Sequence, residues 1–247
     1  MGIFDIPRQL TAVRRRLRTF ADPDRAAFVA RFFKTGPGQY GEGDRFLGLQ
    51  VPQLRTVARE FRSLSLADVR SMLASPWHEE RLLALVILVD QFERGDEAQR
   101  KAIYAFYMAS TDRINNWDLV DASAPQIVGG YLAGRSRAPL YRLAKSKSIW
   151  ERRIAIIATR HFIRLGEFDD TLAIADLLLT DRHDLIHKAA GWMLREVGKR
   201  DRARLEIFLW KKVTRMPRTM LRYAIERFPA ALRRRYLSRK PGTAVAP

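Results

Sequence analysis

The chain has 247 residues, contains no cysteine, and carries 45 Lys and Arg against 27 Asp and Glu, a formal net charge of +18. A chain of this length buries a large core without needing a disulfide or a structural metal. The absence of cysteine excludes disulfide frameworks, thiolate metal sites and cysteine nucleophiles. No apolar run reaches the roughly 20 residues of a membrane span, and no signal-peptide core is recognisable, so we expect a soluble cytoplasmic protein.

The positive charge is unevenly distributed along the chain. Residues 193–247 hold 16 Lys and Arg against 4 Asp and Glu, whereas residues 61–192 hold 18 against 17. A one-sided excess of this size favours a polyanionic partner, most often nucleic acid, whose phosphates provide salt-sensitive affinity. The alternative is a solvated surface in a proteome that favours arginine.

The predicted elements are all helices, because apolar residues recur with a helical period and no segment alternates strictly, as a half-buried strand would. Residues 35–48 are rich in glycine and are predicted to form a loop. Residues 77–92 are apolar on most faces and are predicted to be a buried helix. The predicted helices cover residues 7–20, 22–34, 52–61, 66–73, 77–92, 98–108, 116–132, 138–145, 149–165, 172–179, 185–197, 205–213 and 219–228.

These helices form pairs that repeat roughly every 32 to 40 residues, a spacing typical of HEAT-like or armadillo-like repeats. The sequence therefore predicts an all-α, right-handed α-solenoid of stacked antiparallel helix pairs, whose concave surface binds DNA. Residues 1–240 are predicted to be a single domain, and residues 241–247 a disordered tail.

The stretch from Asn116 to Asp121 combines an aromatic ring with a carboxylate. If Asn116 caps a helix, Trp117 and Asp121 lie one turn apart on the same face. Pro125 cannot donate to the Asp121 carbonyl four residues back, which predicts a loosened turn at this carboxylate. Asp118 is explained by its first-turn position, but Asp121 lies too deep for that explanation. Asp121 is either a catalytic group or the ion-pair partner of an arginine such as Arg152 or Arg153.

The chain has further tryptophans and histidines that could belong either to a site or to the core. Trp192 and Trp117 lie near polar residues and are predicted to be partly exposed, whereas Trp77 and Trp150 are predicted to be core. Gly191 leaves room for a second backbone or a ligand to approach. His183 and His187 have the i, i+4 spacing of a metal pair, but no third ligand is near, so we expect no metal. No phosphate-binding loop, serine elbow or dinucleotide fingerprint is present.

The order and spacing of these motifs resemble the AlkD family of HEAT-like-repeat DNA glycosylases over most of the chain. The matching motifs are Tyr40-Gly-Glu-Gly-Asp-Arg-Phe-Leu-Gly48, Val51-Pro-x-x-Arg55, Trp117-Asp-x-Val-Asp121, Trp150-x-x-Arg153 and Gly191-Trp-x-Leu-Arg-Glu196. Asn116 stands where the family usually has an aromatic residue. The resemblance implies that Asp121 is the catalytic carboxylate, that Trp117 and Trp192 flank the deoxyribose of the lesion, and that Arg153 lies near the DNA backbone. It also implies that the base is recognised without being flipped out, and that no cofactor is needed.

The leading hypothesis is therefore a DNA-alkylpurine N-glycosylase that acts as a monomer on double-stranded DNA and excises 3-methyladenine and 7-methylguanine in base excision repair. Basic residues on the later helices are predicted to contact the DNA backbone: Arg152, Lys188, Arg195, Arg218 and Arg222. Two alternatives remain, a non-catalytic HEAT-like module that grips branched or distorted DNA and a protein-binding scaffold. The C-terminal charge makes the scaffold the weakest of the three.

Overall fold

The computed structural model of the chain describes residues 6–239, with side chains from residue 9 onward. Within this range no β-strand forms, and the only pairing of that kind is an isolated bridge between Arg45 and Trp77. None of the helices in the described range is both long enough and apolar enough to span a membrane. The all-α fold class predicted from the sequence is confirmed.

The chain divides after Ile127 into two compact units. That residues 1–240 act as a single domain stays a prediction, and the predicted tail, 241–247, lies outside the described residues. The first unit contains α1 Ile6–Arg18, α2 Pro23–Phe32, α3 Val51–Glu60, α4 Leu66–Leu73, α5 His78–Arg94, α6 Glu97–Met108 and α7 Trp117–Ala124.

The centre of the first unit is α5, which packs against α3, α4, α6 and α7. Most of its apolar residues are buried, Leu83 and Leu88 completely, as the sequence predicts. The first turn of α5 is also buried, although it carries four ionisable residues, His78-Glu79-Glu80-Arg81. Buried charges of this kind require partners, and their partners hold the surrounding loops in place.

Glu79 holds the glycine-rich loop that was predicted over residues 35–48. Its carboxylate accepts hydrogen bonds from the backbone amides of Leu47, Gly48 and Leu49, at 2.9, 2.8 and 3.3 Å. Gly48 has φ of +85°, and a Cβ there would lie 2.2 Å from the carbonyl oxygen of Asp22. Only glycine fits this position, so the loop is pinned between α2 and α5.

The second unit begins within a π-helical turn, Pro125–Gly129, that follows α7 directly. The remaining helices are α8 Gly130–Leu132, α9 Ala138–Ala144, α10 Ile149–Ala158, α11 Arg160–Arg164, α12 Asp169–Leu177, α13 Asp184–Arg200, α14 Arg202–Lys212, α15 Arg218–Ala224 and α16 Ala230–Leu237. A short 3₁₀ turn, Leu178–Thr180, follows α12.

The helices of the second unit stack as pairs in two layers. In one layer α10 packs on α13 and α13 packs on α15, while α9, α12 and α14 each pack against a member of that layer. Polar contacts join the members of the other layer, since Tyr141 donates to Asp170 at 2.7 Å and Lys212 donates to Asp176 at 2.8 Å. The predicted stacking of helix pairs is thus confirmed within this unit.

Three predicted helices differ from the structure for local reasons. The helix predicted over 116–132 changes to π-helical geometry at Pro125, because proline cannot donate the hydrogen bond of a regular α-turn. The helix over 149–165 is broken at Thr159, whose hydroxyl donates to the Ile156 carbonyl at 2.6 Å. The helix over 219–228 ends at Ala224, and α16 follows Pro229 without having been predicted.

Candidate active site

The first two turns of α7 present the predicted tryptophan and aspartate. Asn116 is fully buried, and its side-chain oxygen accepts a hydrogen bond from the Trp117 amide at 2.8 Å, so the predicted helix cap is confirmed. Trp117 is the first helical residue and Asp121 follows one turn later, on the same face. Both side chains are partly exposed. A solvent-accessible carboxylate therefore lies beside an accessible indole.

An aromatic stack supports the Trp117 ring from behind. The ring planes of Trp117 and Phe33 are nearly parallel, 8° apart, with centroids 5.1 Å apart. Phe32 meets the indole edge-on at 6.0 Å. Phe33 in turn lies 5.3 Å from Phe46 and 4.9 Å from His78. One face of the indole is thus covered by protein.

A buried ion cluster lies behind this aromatic stack. His78 Nδ1 is 3.2 Å from Asp44 Oδ2, and His78 Nε2 is 2.7 Å from Asp118 Oδ2. The other Asp44 oxygen accepts from the Arg81 guanidinium at 2.7 Å. Asp44 Oδ2 also accepts from the Asn116 side-chain amide at 3.2 Å. Asp118 therefore has a specific partner as well as the first-turn position that the sequence indicated.

The electrostatics of this cluster favour the charged forms of His78 and Asp44. Burial by itself lowers the pKa of His78, but the Asp118 and Asp44 carboxylates outweigh burial and raise this pKa to about 9. For Asp44, burial raises the pKa, and the hydrogen bonds from His78 and Arg81 outweigh it and lower the pKa below its ordinary value. His78 is 2% exposed, so at neutral pH it is a buried imidazolium.

A buried tyrosine lies beneath α7 on the side of Asp121. The Ser123 hydroxyl donates to the Leu119 carbonyl at 2.6 Å, so the Tyr107 hydroxyl, 3.0 Å away, donates to Ser123. Burial raises the pKa of Tyr107 far above its ordinary value, and the negative charge of Asp121 raises it further. Tyr107 is therefore a buried hydrogen-bond partner of the helix that carries Asp121.

In the second unit, Trp192 lies on α13 and is partly exposed, as the sequence predicts. Its indole nitrogen donates to Glu196 Oε1 at 3.1 Å, and the Arg160 guanidinium lies 5.4 Å from the ring centroid. A Cβ on Gly191 would lie 2.5 Å from the Met220 carbonyl oxygen. The glycine is therefore required by the close approach of α15, one of the two explanations that the sequence left open.

Arg153, on α10, is 5% exposed, and its guanidinium donates to the Leu185 carbonyl at the start of α13 at 2.7 Å. Its neighbour Arg152, which was considered as a partner for Asp121, pairs with Asp181 at 2.5 Å. Arg152 also donates to the carbonyls of residues 146 and 147. These contacts hold Arg153 against the start of α13 and Arg152 between the loops that precede α10 and α13.

The other predicted DNA-backbone contacts differ in how free their side chains are. Lys188 pairs with Asp184 at 2.8 Å, Arg195 pairs with Glu226, and Arg218 donates to the Leu237 carbonyl at 2.5 Å. Arg222 is exposed at the end of α15, and no polar partner for its side chain is found among the described residues. Its guanidinium is therefore available to a ligand.

Burial and hydrogen bonding describe the remaining tryptophans and histidines. The prediction that Trp77 and Trp150 belong to the core is wrong, because both are half-buried. Trp77 is the N-cap of α5, and Trp150 is the second residue of α10. His183 and His187 have structural contacts, since His183 accepts from the Leu185 amide at 3.2 Å and His187 donates to the Asp181 carbonyl at 2.6 Å.

The sequence reasoning missed the cluster formed by His78, Asp44, Arg81 and Asn116, and the ring of Phe33. The partners of His78 lie 34 and 40 residues away, beyond the reach of any helical spacing. One signal was present, because four consecutive ionisable residues open a helix that is otherwise apolar. Several consecutive ionisable residues at the start of a buried helix indicate a network of buried ion pairs.

The chain is an all-α helix-repeat protein, because it consists of two units of helices and the helices of the second unit stack in pairs. Its candidate site is an indole and a carboxylate that lie one turn apart at the start of α7. A solved structure described as "Predicted DNA alkylation repair enzyme from Enterococcus faecalis" is similar, with a TM-score of 0.66 and 18% identity over 85% of this chain and 97% of that one. The sequence model of the family described as "DNA alkylation repair enzyme" matches residues 13–228. The chain belongs to this family. No curated protein matches it.

Proposed function

We propose that the chain is a monofunctional DNA glycosylase that excises N3- and N7-alkylated purines from duplex DNA, with Asp121 as its catalytic carboxylate. The observation that carries the proposal is the start of α7, where Asp121 follows one turn after an indole backed by Phe33. The protein acts as a monomer in base excision repair, on double-stranded DNA that contains alkylated bases. The net charge of +18 supports a DNA partner.

The chemistry matches these residue types. A purine alkylated at N3 or N7 is cationic, so it leaves with the electron pair of the glycosidic bond and needs no protonation. Positive charge then develops on the deoxyribose, where a carboxylate stabilises it and orients the attacking water. Water adds its oxygen to the sugar carbon, and Asp121 accepts its proton.

The partly exposed indole of Trp117 has a role in the same step. Its face attracts a cationic sugar by roughly 0.5 to 2 kcal/mol, and Trp192 stays a predicted lesion-binding residue. The hydrogen bond to Glu196 fixes the rotation of the Trp192 ring. Arg222, which is exposed, is proposed to contact a DNA phosphate, and Arg153 stays a predicted DNA-backbone residue.

The test is base release from a methylated duplex by the wild-type protein and by Asp121→Asn. We expect the wild type to release 7-methylguanine or 3-methyladenine, and Asp121→Asn to be slower by about 100-fold or more while it binds the duplex equally. Asp112→Asn is a matched control, because Asp112 lies in the loop before α7 and its side chain is 71% exposed.

Two outcomes would contradict the proposal. Normal release by Asp121→Asn would remove the carboxylate from the mechanism. Salt-sensitive DNA binding without any release by the wild type would instead support a non-catalytic DNA-binding module.

A further inference from the structure

The imidazole of His78 reaches the first turn of α7 by three routes. It contacts Asp118 directly at 2.7 Å. Through Asp44, which it contacts at 3.2 Å, it is linked to Asn116, the residue that caps α7. Its ring also lies 4.9 Å from Phe33, on which the Trp117 indole stacks. The His78 side chain therefore supports Asn116, Asp118 and the Trp117 indole at the start of α7.

The geometry of the two nitrogens requires a charged ring. Both ring nitrogens face carboxylate oxygens. A neutral imidazole has one N–H and would turn a lone pair toward the other carboxylate, whereas an imidazolium donates to both. The Phe46 ring stacks on His78 at 4.8 Å, which suits a cation over an aromatic face.

The cluster is balanced when His78 is charged. Asp44 faces His78 from the loop, Asp118 faces it from α7, and Arg81 is the nearby charge on its own helix. Two cations and two carboxylates then have a formal charge of zero. With a neutral side chain at position 78, the cluster is left with one uncompensated carboxylate. Asp118 lies three residues before Asp121, and like charges at this spacing on a helix repel each other.

We propose that His78 is a positioning residue of the candidate site, which holds Trp117 and Asp121 in their working geometry by binding the start of α7 through Asp44 and Asp118. The inference rests on the proposed glycosylase function. His78 is buried and does not contact the substrate. It acts through the turn that carries the indole and the carboxylate.

The test compares single-turnover base release by the wild type, His78→Gln, Asp118→Asn and the double variant His78→Gln/Asp118→Asn, with enzyme in excess over methylated duplex. We expect His78→Gln to slow release by about 10- to 100-fold, because misplacing a catalytic group by about 1 Å has effects of this size. Its dissociation constant for the duplex stays within about threefold of the wild-type value. The double variant, whose cluster is again neutral, regains about tenfold of the lost rate.

The control is His161→Gln, which changes a half-buried histidine outside the cluster and leaves release unchanged. A purely structural role of His78 predicts that thermal stability falls while the rate of the folded protein is retained. It also predicts no recovery in the double variant. Either result overturns the inference.

A second measurement does not depend on activity. Nitrogen-15 NMR of the histidine rings, with the His78 signals assigned by their loss in His78→Gln, reports the protonation of each ring nitrogen. We expect both nitrogens of His78 to be protonated at pH 7.5, and a neutral ring would overturn the inference. Absence of any base release by the wild type overturns the proposed function. Equal rates for wild type and His78→Gln overturn only the role of His78.

Discussion

The buried imidazolium of His78 makes the stability of the protein depend on pH. A rise in the pKa from 6.5 to about 9 on folding corresponds to about 3 kcal/mol, at about 1.4 kcal/mol per pH unit. Because the folded pKa is the higher one, this stabilisation is complete below pH 6.5. It decreases as the pH rises and is lost above about pH 9.

The assay is urea unfolding of the wild type and His78→Gln at several pH values from 6 to 9.5. The difference between their free energies of unfolding is expected to shrink by about 3 kcal/mol over this range. His161→Gln is the control with the opposite sign, because burial lowers the pKa of His161, so its charged form is disfavoured in the folded state. A difference between wild type and His78→Gln that does not change from pH 6 to 9.5 would refute the buried imidazolium.

Two more predictions concern the second unit. Gly191→Ala is expected to destabilise the protein by about 1 to 2 kcal/mol in urea unfolding, because its Cβ would meet the Met220 backbone. Gly198→Ala on the same helix meets only the Leu205 side chain, whose end can shift where backbone cannot, so it should cost less than Gly191→Ala. Equal effects of the two variants would contradict the packing argument. Arg222→Ala is expected to lower the slope of log affinity for duplex DNA against log salt by about 1, whereas Arg94→Ala, which removes an arginine paired with Asp90, should leave the slope unchanged.

Local signals in the sequence were enough to locate most of the helices and the turn that carries the candidate site. Asn116 caps α7 because its side chain bonds the adjacent backbone amide, a contact made within two residues. Pro125 changes the helix that follows because proline lacks an N–H, whatever surrounds it. Both effects act within one turn, so the sequence alone reveals them.

The support of the site could not be predicted in the same way. Asp44, His78 and Asn116 lie tens of residues apart, and each is unremarkable as an isolated polar residue. Only the packing of α5 against α7 and the loop brings these polar side chains together and buries them. The half-burial of Trp77 and Trp150 has the same origin, since exposure depends on neighbours contributed by other helices.

Helical periodicity and capping are local properties, so the all-α class, the order of the helix pairs and the pairing of Trp117 with Asp121 on one face could all be read from the sequence. The packed structure was needed to show that a charged histidine supports that face and that Gly191 accommodates a neighbouring helix. It was also needed to distinguish basic residues held in ion pairs from those that, like Arg222, are exposed. These properties depend on distances between residues far apart in the chain, which periodicity does not encode.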